Sequence, residues 1–159
     1  MIFVTLGSQK FQFNRLLQYL DELIEENKIE DRIIAQVGFS DYIPCNFDYK
    51  PFFSRDEFLQ YMKRADIILT HAGTGSIITA LKERKKVIAI PRLKKYKEHV
   101  DDHQIEITQI FTMNGYLLSA NSKYELLEML DCLNNRSLKK FDSNNSFFCE
   151  KIKNYVRMN

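Results

Sequence analysis

Short runs of apolar residues alternate with longer amphipathic stretches along most of this chain. Uninterrupted apolar runs of this length are typical of strands in a parallel sheet, because helices cover both faces of such a sheet. The pattern predicts strands at residues 2–6, 32–37, 66–70, 86–90 and 116–119. A further stretch at 47–53 contains Pro51, which favours a short or edge strand.

The amphipathic stretches between these runs have the spacing of helices. Residues from Leu16 to Ile24 place their apolar side chains in one stripe. Two more helices are predicted to begin with the Ser-x-x-Glu capping box at 54–57 and 122–125. With helices at about 74–83 and 101–113, strands and helices alternate. This order predicts an α/β fold, Rossmann-like and doubly wound, with a mainly parallel sheet.

We expect this domain to span residues 1–133 and a polar connection to follow it within 134–159. The segment 146–156 resumes an amphipathic pattern and predicts a terminal helix. That helix either packs on its own domain or docks against a second protein.

Composition narrows the class of protein. A chain of 159 residues, of which 45% are hydrophobic, suits one globular domain, and its formal net charge of +2 argues against a dedicated nucleic-acid-binding protein. The widely spaced Cys45, Cys132 and Cys149 predict neither a disulfide framework nor a zinc site, and they favour a reducing compartment. The first residues predict a strand instead of a signal peptide, and no apolar run is long enough to span a bilayer.

The segment His-Ala-Gly-Thr-Gly-Ser at 71–76 joins a predicted strand to a predicted helix. Ligands of open parallel sheets bind at such junctions. Gly73 and Gly75 would let the backbone approach an anion, and Thr74 and Ser76 would add hydroxyl donors to the free N–H groups of the helix start. The third glycine of a dinucleotide fingerprint and the lysine of a P-loop are missing. The segment therefore predicts a cradle for a pyrophosphate group. The alternative is that its glycines only form a tight turn between strand and helix and bind no ligand.

This segment, followed by Asp-His-Gln at 102–104, resembles the nucleotide-sugar-binding half of GT-B glycosyltransferases of family 28. The similarity extends from Val-Thr-Leu-Gly-Ser at 4–8 to the predicted terminal helix. It is greatest to the small catalytic subunits of split enzymes, such as the dolichol-linked chitobiose GlcNAc transferase and the bacterial β-1,4-galactosyl- or glucuronosyltransferases of capsule and exopolysaccharide synthesis.

The resemblance implies a role for each motif. Beside the cradle, Gly7, Ser8 and His71 would lie near the phosphates of the donor. Gln104 and Glu106 would contact sugar or ribose hydroxyl groups, as would Asp102, since carboxylates and amides hydrogen-bond hydroxyls well. His103 and Asp102 are the catalytic candidates, although the base may belong to a partner subunit.

Each assignment has a structural alternative. His71 would instead bridge backbone groups beside the turn, and the cluster 101–103 would only place negative charge at a helix start. In the relatives an acidic residue on the helix after the glycine loop holds the ribose, whereas this chain has Thr79 there. The adjacent carboxylates of Asp101 and Asp102 suggest a metal site, but the sequence has no second cluster of ligands to complete one. We therefore predict no metal and no cofactor.

The resemblance implies transfer of a hexose, by preference galactose, from a UDP-sugar to a polyprenyl-pyrophosphate-linked saccharide. Such enzymes need two Rossmann-like halves, and the implied second half is a membrane-anchored, acceptor-binding partner that recruits this cytoplasmic chain to the membrane. A non-catalytic activating or scaffold subunit and a free-standing nucleotide-binding protein are the alternatives.

The segment 82–97 contains eight Lys or Arg residues. Most are predicted to be solvated, but Arg92 and the lysines of 94–97 follow a strand end and are candidates for contact with anionic lipid or a lipid pyrophosphate.

Overall fold

The computed structural model describes residues 1–142, except for the side chains of residues 134 and 135. Within this range the strands form one parallel sheet in the order β3-β2-β1-β4-β5-β6. They are β1 (Ile2–Thr5), β2 (Ile33–Gln36), β3 (Asp48–Lys50), β4 (Ile67–His71), β5 (Lys86–Ile90) and β6 (Leu118–Ser119). The predicted Rossmann-like, doubly wound α/β fold is confirmed. The helix predicted at 146–156 lies outside the described residues.

Five helices connect and flank these strands in the described part of the chain. They are α1 (Asn14–Glu25), α2 (Arg55–Arg64), α3 (Thr74–Lys82), α4 (His103–Met113) and α5 (Lys123–Asn135). Ser54 and Glu57 form both hydrogen bonds of the predicted capping box. At α5 only half of the box forms, because Glu125 accepts the backbone N–H of Asn121 instead of that of Ser122.

Alternate residues of the central strands pack into two hydrophobic cores, one on each face of the sheet. Val4 and Leu69 belong to the core under α1 and α5, whereas Phe3, Ile68 and Val87 belong to the core under α2, α3 and α4. Every one of these five side chains is fully buried. Coverage on both faces explains why the strands are continuous apolar runs.

The sheet changes its winding direction between β1 and β4. From β1 the chain moves outward to β2 and β3, and from β4 it moves to the opposite edge through β5 and β6. Thr5 and Thr70 are register partners at this point, so the loops after β1 and β4 leave the sheet side by side. Ligands of doubly wound folds bind in the crevice that opens at such a switch.

The basic segment 82–97 is divided between the two ends of β5. At the amino end, Lys85 donates to the carbonyl oxygen of Lys63 in the last turn of α2, and Lys86 donates to that of Leu133 in α5. Cations are favourable there because helix C-termini carry partial negative charge. At the carboxyl end, Lys94, Lys95 and Lys97 are exposed.

Arg92, one of the candidates for contact with anionic lipid or a lipid pyrophosphate, is instead buried. Its side chain is only 1% exposed, and its guanidinium donates to backbone carbonyl oxygens. Position after a strand end was a poor guide, because the two terminal nitrogens of this guanidinium donate to acceptors that the sequence pattern does not reveal.

Residues 136–142 return to the domain. The backbone N–H of Lys139 donates to the carbonyl oxygen of Gly115 at 2.9 Å, and the ring of Phe141 packs edge-on against Tyr116 with centroids 5.3 Å apart. The first part of the predicted polar connection is therefore packed on the sheet edge. Whether the rest of 134–159 forms a partner-docking element stays a prediction.

Candidate functional site

Three loops that carry the predicted site residues meet at the carboxyl edge of the sheet. Gly7 and Ser8 follow β1, the glycine segment follows β4, and residues 102–106 follow the loop after β5. Since β1, β4 and β5 are neighbours in the sheet, the fold brings all three loops to one edge. This arrangement places the site at the winding switch.

The imidazole of His71 packs between the first loop and the glycine segment. Its Nδ1 lies 3.3 Å from the carbonyl oxygen of Thr5 and 3.4 Å from the hydroxyl of Thr70. A Cβ on Gly7, whose φ is +75°, would lie 2.5 Å from Cε1 of the ring, and a Cβ on Gly73 would overlap Nε2. Both glycines therefore make room for His71, which differs from the predicted approach of Gly73 to an anion.

Burial also fixes the charge of this histidine. Burial and, to a smaller extent, the nearby positive charge of Arg92 lower the pKa of His71 to about 4, although the bond to the Thr5 carbonyl opposes the shift. The ring is neutral near pH 7, and the Thr5 carbonyl is an acceptor for a proton on Nδ1. His71 thus contacts a backbone carbonyl and a hydroxyl beside the turn, and its place near the phosphates of a donor stays a prediction.

The start of α3 has open hydrogen-bond donors. Gly73 is the N-cap and makes no side-chain cap, and the first turn contains no acidic residue. The N–H of Ile77 bonds the Gly73 carbonyl at 3.1 Å, so the helical bonds begin only after Thr74, Gly75 and Ser76. Within residues 1–142, a Cβ on Gly75 would meet nothing within 4 Å. In this part of the chain, space and unsatisfied N–H groups therefore coincide, as an anion site requires.

The first loop also lies close to the loop after β2, where Gly38 approaches Gly7. Gly38, at the end of β2, has a φ of +59°, and a Cβ there would lie 2.9 Å from the carbonyl oxygen of Gly7. The two loops therefore approach each other through backbone alone. Ser8, next along the first loop, is exposed at the same edge.

The residues predicted around α4 point in different directions. Gln104 is buried, and its side-chain oxygen accepts the N–H of Arg92 at 3.1 Å. Asp102 is exposed and accepts the N–H of Lys94 at 2.8 Å. His103 is half-buried with Nε2 3.7 Å from Asp101, and Glu106 is exposed in the first turn. Asp102 and Glu106 are thus accessible to solvent and His103 is partly so, whereas the oxygen of Gln104 holds the backbone of Arg92.

A buried network of charged side chains connects the loops at this edge of the sheet. Arg92 donates to the carbonyl oxygens of Leu6 at 2.6 Å, Phe11 at 2.9 Å and Glu98 at 3.1 Å. The buried carboxylate of Glu98 accepts two bonds of 2.9 Å from Arg15 and one from the N–H of Leu93. Burial lowers the pKa of Arg92 to about 10, which Glu98 partly opposes.

Sequence reasoning missed this network because hydropathy assigns arginine and glutamate to the surface. The relevant signal is the position of Arg92 and Glu98 on either side of the loop 93–97, which follows β5. Such a signal is visible only once the strand order is known.

The helix position that carries an acid in the relatives has a local bond instead. The hydroxyl of Thr79 donates to the carbonyl oxygen of Gly75 at 2.8 Å. Among residues 1–142, no three His, Cys, Asp or Glu side chains are arranged to hold a metal ion. Over the same residues, each helix is too short or too polar to cross a bilayer.

Comparison with known proteins gives a family match over almost the whole chain. The glycosyltransferase family 28 C-terminal domain matches residues 1–156. Curated relatives include the UDP-N-acetylglucosamine transferase subunit ALG13 of Candida glabrata, which is 28% identical over 79% of this chain and 61% of its own length. The human protein of the same name is 26% identical over 73% of this chain and 10% of its own length. The chain spans less than two thirds of these relatives.

Solved structures share the fold at low identity. An NMR structure of ALG13 superposes with a TM-score of 0.61 at 23% identity, covering 95% of this chain and 93% of that one. The crystal structure of Acinetobacter baumannii MurG gives a TM-score of 0.58 at 18% identity, covering 85% of this chain and 41% of MurG. The similarity to MurG thus involves only part of that longer protein.

Proposed function

Since the chain belongs to the glycosyltransferase family 28 C-terminal domain family, we propose that it binds the diphosphate of a UDP-sugar at the start of α3 and acts as the donor-binding subunit of a glycosyltransferase. The observation that supports this most is the uncapped first turn of α3, with open space at Gly75, beside the switch between β1 and β4. Helix N-termini at such switches favour phosphate.

The chemistry follows from charge. A nucleoside diphosphate leaves with developing negative charge, and preorganised N–H donors stabilise that charge more in the transition state than in the bound donor. In this proposal the backbone N–H groups of Thr74, Gly75 and Ser76 supply the donors. The hydroxyls of Thr74 and Ser76, together with Gly7 and Ser8, complete the cradle. The chain needs no metal ion for this step.

We assign the accessible polar groups near α4 to the sugar and ribose. Asp102 and Glu106 are exposed carboxylates at the same edge and suit hydroxyl groups. Gln104 would use its NH₂ group, because its oxygen already accepts the Arg92 N–H. His103 would hydrogen-bond the donor or move a proton, with Asp102 beside it, unless the base belongs to the partner. His71 is neutral because its pKa is low. Its proposed role is therefore to hold the first loop and the glycine segment in place, without carrying a charge.

For the sugar we propose N-acetylglucosamine. The curated relatives are named as UDP-N-acetylglucosamine transferase subunits, whereas neither galactose nor capsule and exopolysaccharide synthesis appears among them. The expected galactose transfer in capsule synthesis therefore has no support from the relatives.

We further propose that a second polypeptide supplies the acceptor side. Residues 1–142 form one Rossmann-like half, and the relatives are named as subunits. The proposed partner is membrane-anchored, presents a lipid-linked acceptor and recruits this chain to the cytoplasmic face, with 134–159 as a candidate docking element. In the alternative, a non-catalytic scaffold subunit would still bind the partner but would not need the diphosphate cradle.

Calorimetric titration of the purified protein with UDP, ADP, UDP-N-acetylglucosamine and UDP-galactose tests the donor site without the partner. The proposal predicts saturable binding of UDP and tighter binding of UDP-N-acetylglucosamine than of UDP-galactose. Absence of UDP binding would contradict it. Activity of the reconstituted pair that survives disruption of Gly75 would favour the scaffold alternative.

A further inference from the structure

We propose that His99 is a positioning residue that fixes the first loop, residues 6–13, against the start of α4. This inference rests on the proposed function, because these two segments form opposite walls of the proposed donor site. His99 precedes the Asp-His-Gln motif and was not among the residues that the sequence singled out. Its side chain is only 14% exposed.

Both ring nitrogens of His99 have polar partners on different segments. Nε2 lies 3.1 Å from the side-chain oxygen of Gln9, which follows Ser8 in the first loop. Nδ1 lies 2.9 Å from a carboxylate oxygen of Asp101. The ring also packs at 5.1 Å, centroid to centroid, from Phe11 of the same loop. His99 therefore connects the first loop to the segment that leads into α4.

The same carboxylate reaches the helix itself. The oxygen of Asp101 that contacts His99 also accepts the backbone N–H of His103, the first residue of α4, at 3.1 Å. One continuous series of polar contacts thus runs from Gln9 through His99 and Asp101 to the start of α4, in which the tautomer of His99 and the orientation of the Gln9 amide set which atom donates. A shift of either wall must stretch or break one of these bonds.

The fold has a separate means of holding the loop backbone. The buried guanidinium of Arg92 already binds the carbonyl oxygens of Leu6 and Phe11. The contact of His99 falls instead on the side chain of Gln9, close to Gly7 and Ser8. Its effect should therefore appear in ligand binding more than in folding. Binding of a ligand costs less conformational entropy when the loop that contacts it is already ordered.

The test is calorimetric UDP binding by wild type, Gln9→Ala, His99→Asn and the double variant, with thermal melting of each. Gln9 is exposed, and its backbone carbonyl, which accepts the Phe11 N–H at 2.8 Å, is kept by alanine. Asparagine at 99 places an amide where Nδ1 lies and can keep the Asp101 contact while losing Gln9. Gln18→Ala, on the exposed face of α1, is the matched control.

Each single variant is expected to bind UDP about fivefold more weakly, the factor expected for loss of one positioning hydrogen bond. The double variant should bind no more weakly than the weaker single variant, because both changes break the same connection. The melting temperatures of Gln9→Ala and Gln18→Ala should equal that of wild type.

Four results would overturn the inference. Wild-type affinity in Gln9→Ala would do so even if the variants at 99 fail to fold, and fully additive losses would show that the two side chains act independently. A wild-type protein that binds no UDP would remove the proposed function and this inference together. UDP binding by wild type with unchanged variants would remove the inference alone.

Discussion

The imidazole of His71 occupies the space that a side chain at position 73 would need, so His71 and Gly73 are complementary in shape. The backbone of the glycine segment can follow its observed path only with a hydrogen at this position. Gly75, two residues along, has open space around it. One glycine therefore serves packing, and the other leaves room for a ligand.

Gly73→Ala should destabilise the protein by about 1–3 kcal/mol, the usual cost of overpacking a tight site. Urea unfolding measures the change. In the double variant with His71→Ala the methyl group meets no ring, so the cost of Gly73→Ala should shrink by more than half of its value in wild type. Equal costs in both backgrounds would contradict the packing role.

Gly75→Ala should leave the free energy of unfolding unchanged or raise it by about 0.5–1 kcal/mol, because alanine is favoured over glycine in a helix. Its methyl group would project into the proposed phosphate site and weaken UDP binding about tenfold, which corresponds to about 1.4 kcal/mol. Calorimetry on a variant that melts like wild type measures this loss. Undiminished UDP affinity would place the diphosphate elsewhere.

Stability should fall on acidification through His71. Its folded pKa of about 4 lies below the ordinary value of 6.5, so between these values the unfolded chain binds a proton that the folded chain does not. The free energy of unfolding should therefore decrease as the pH falls from about 6.5 to about 4, by at most about 3 kcal/mol, and His71 should add no further loss below that. Above about 6.5 it contributes no pH dependence.

His71→Asn isolates this contribution, since carboxylates titrate in both proteins. Subtracting the unfolding free energies of the variant from those of wild type across pH 4 to 7 should leave a curve that rises with pH. A flat difference curve would show that His71 is not buried in its neutral form.

Arg92→Met should destabilise the protein by about 3–5 kcal/mol. The change leaves three backbone carbonyl oxygens without their donor and Glu98 with one cation fewer nearby. Chemical denaturation measures the loss. Lys94→Ala is the matched control, because its side chain is exposed and its backbone bond to Asp102 survives. Equal stabilities of the two variants would contradict the buried role of Arg92.

The strands and helices were predictable because their physical signals are local. The runs that became β4 and β5 are buried on both faces, and the capping box at Ser54 satisfies N–H groups within one turn. Family resemblance and the glycine segment together indicated the edge of the sheet at which the structure gathers the predicted site residues.

The side-chain roles at that edge were less predictable, because they depend on contacts between distant segments. Arg92 follows a strand end like a surface residue, yet its acceptors lie as far away in sequence as Leu6. The motif directed attention to Gln104 as a ligand contact, but its oxygen holds the Arg92 N–H. His99 gave no signal at all, since its partner Gln9 is 90 residues away.

Backbone amide NMR during titration with UDP shows whether the first turn of α3 binds a diphosphate, and uridine is the control that lacks phosphates. We expect the amides of Thr74, Gly75 and Ser76 to shift strongly with UDP and those of Gly7 and Ser8 to shift less, whereas uridine should leave the three α3 amides in place. UDP shifts confined to other parts of the protein, or no shifts at these amides, would contradict diphosphate binding at this turn.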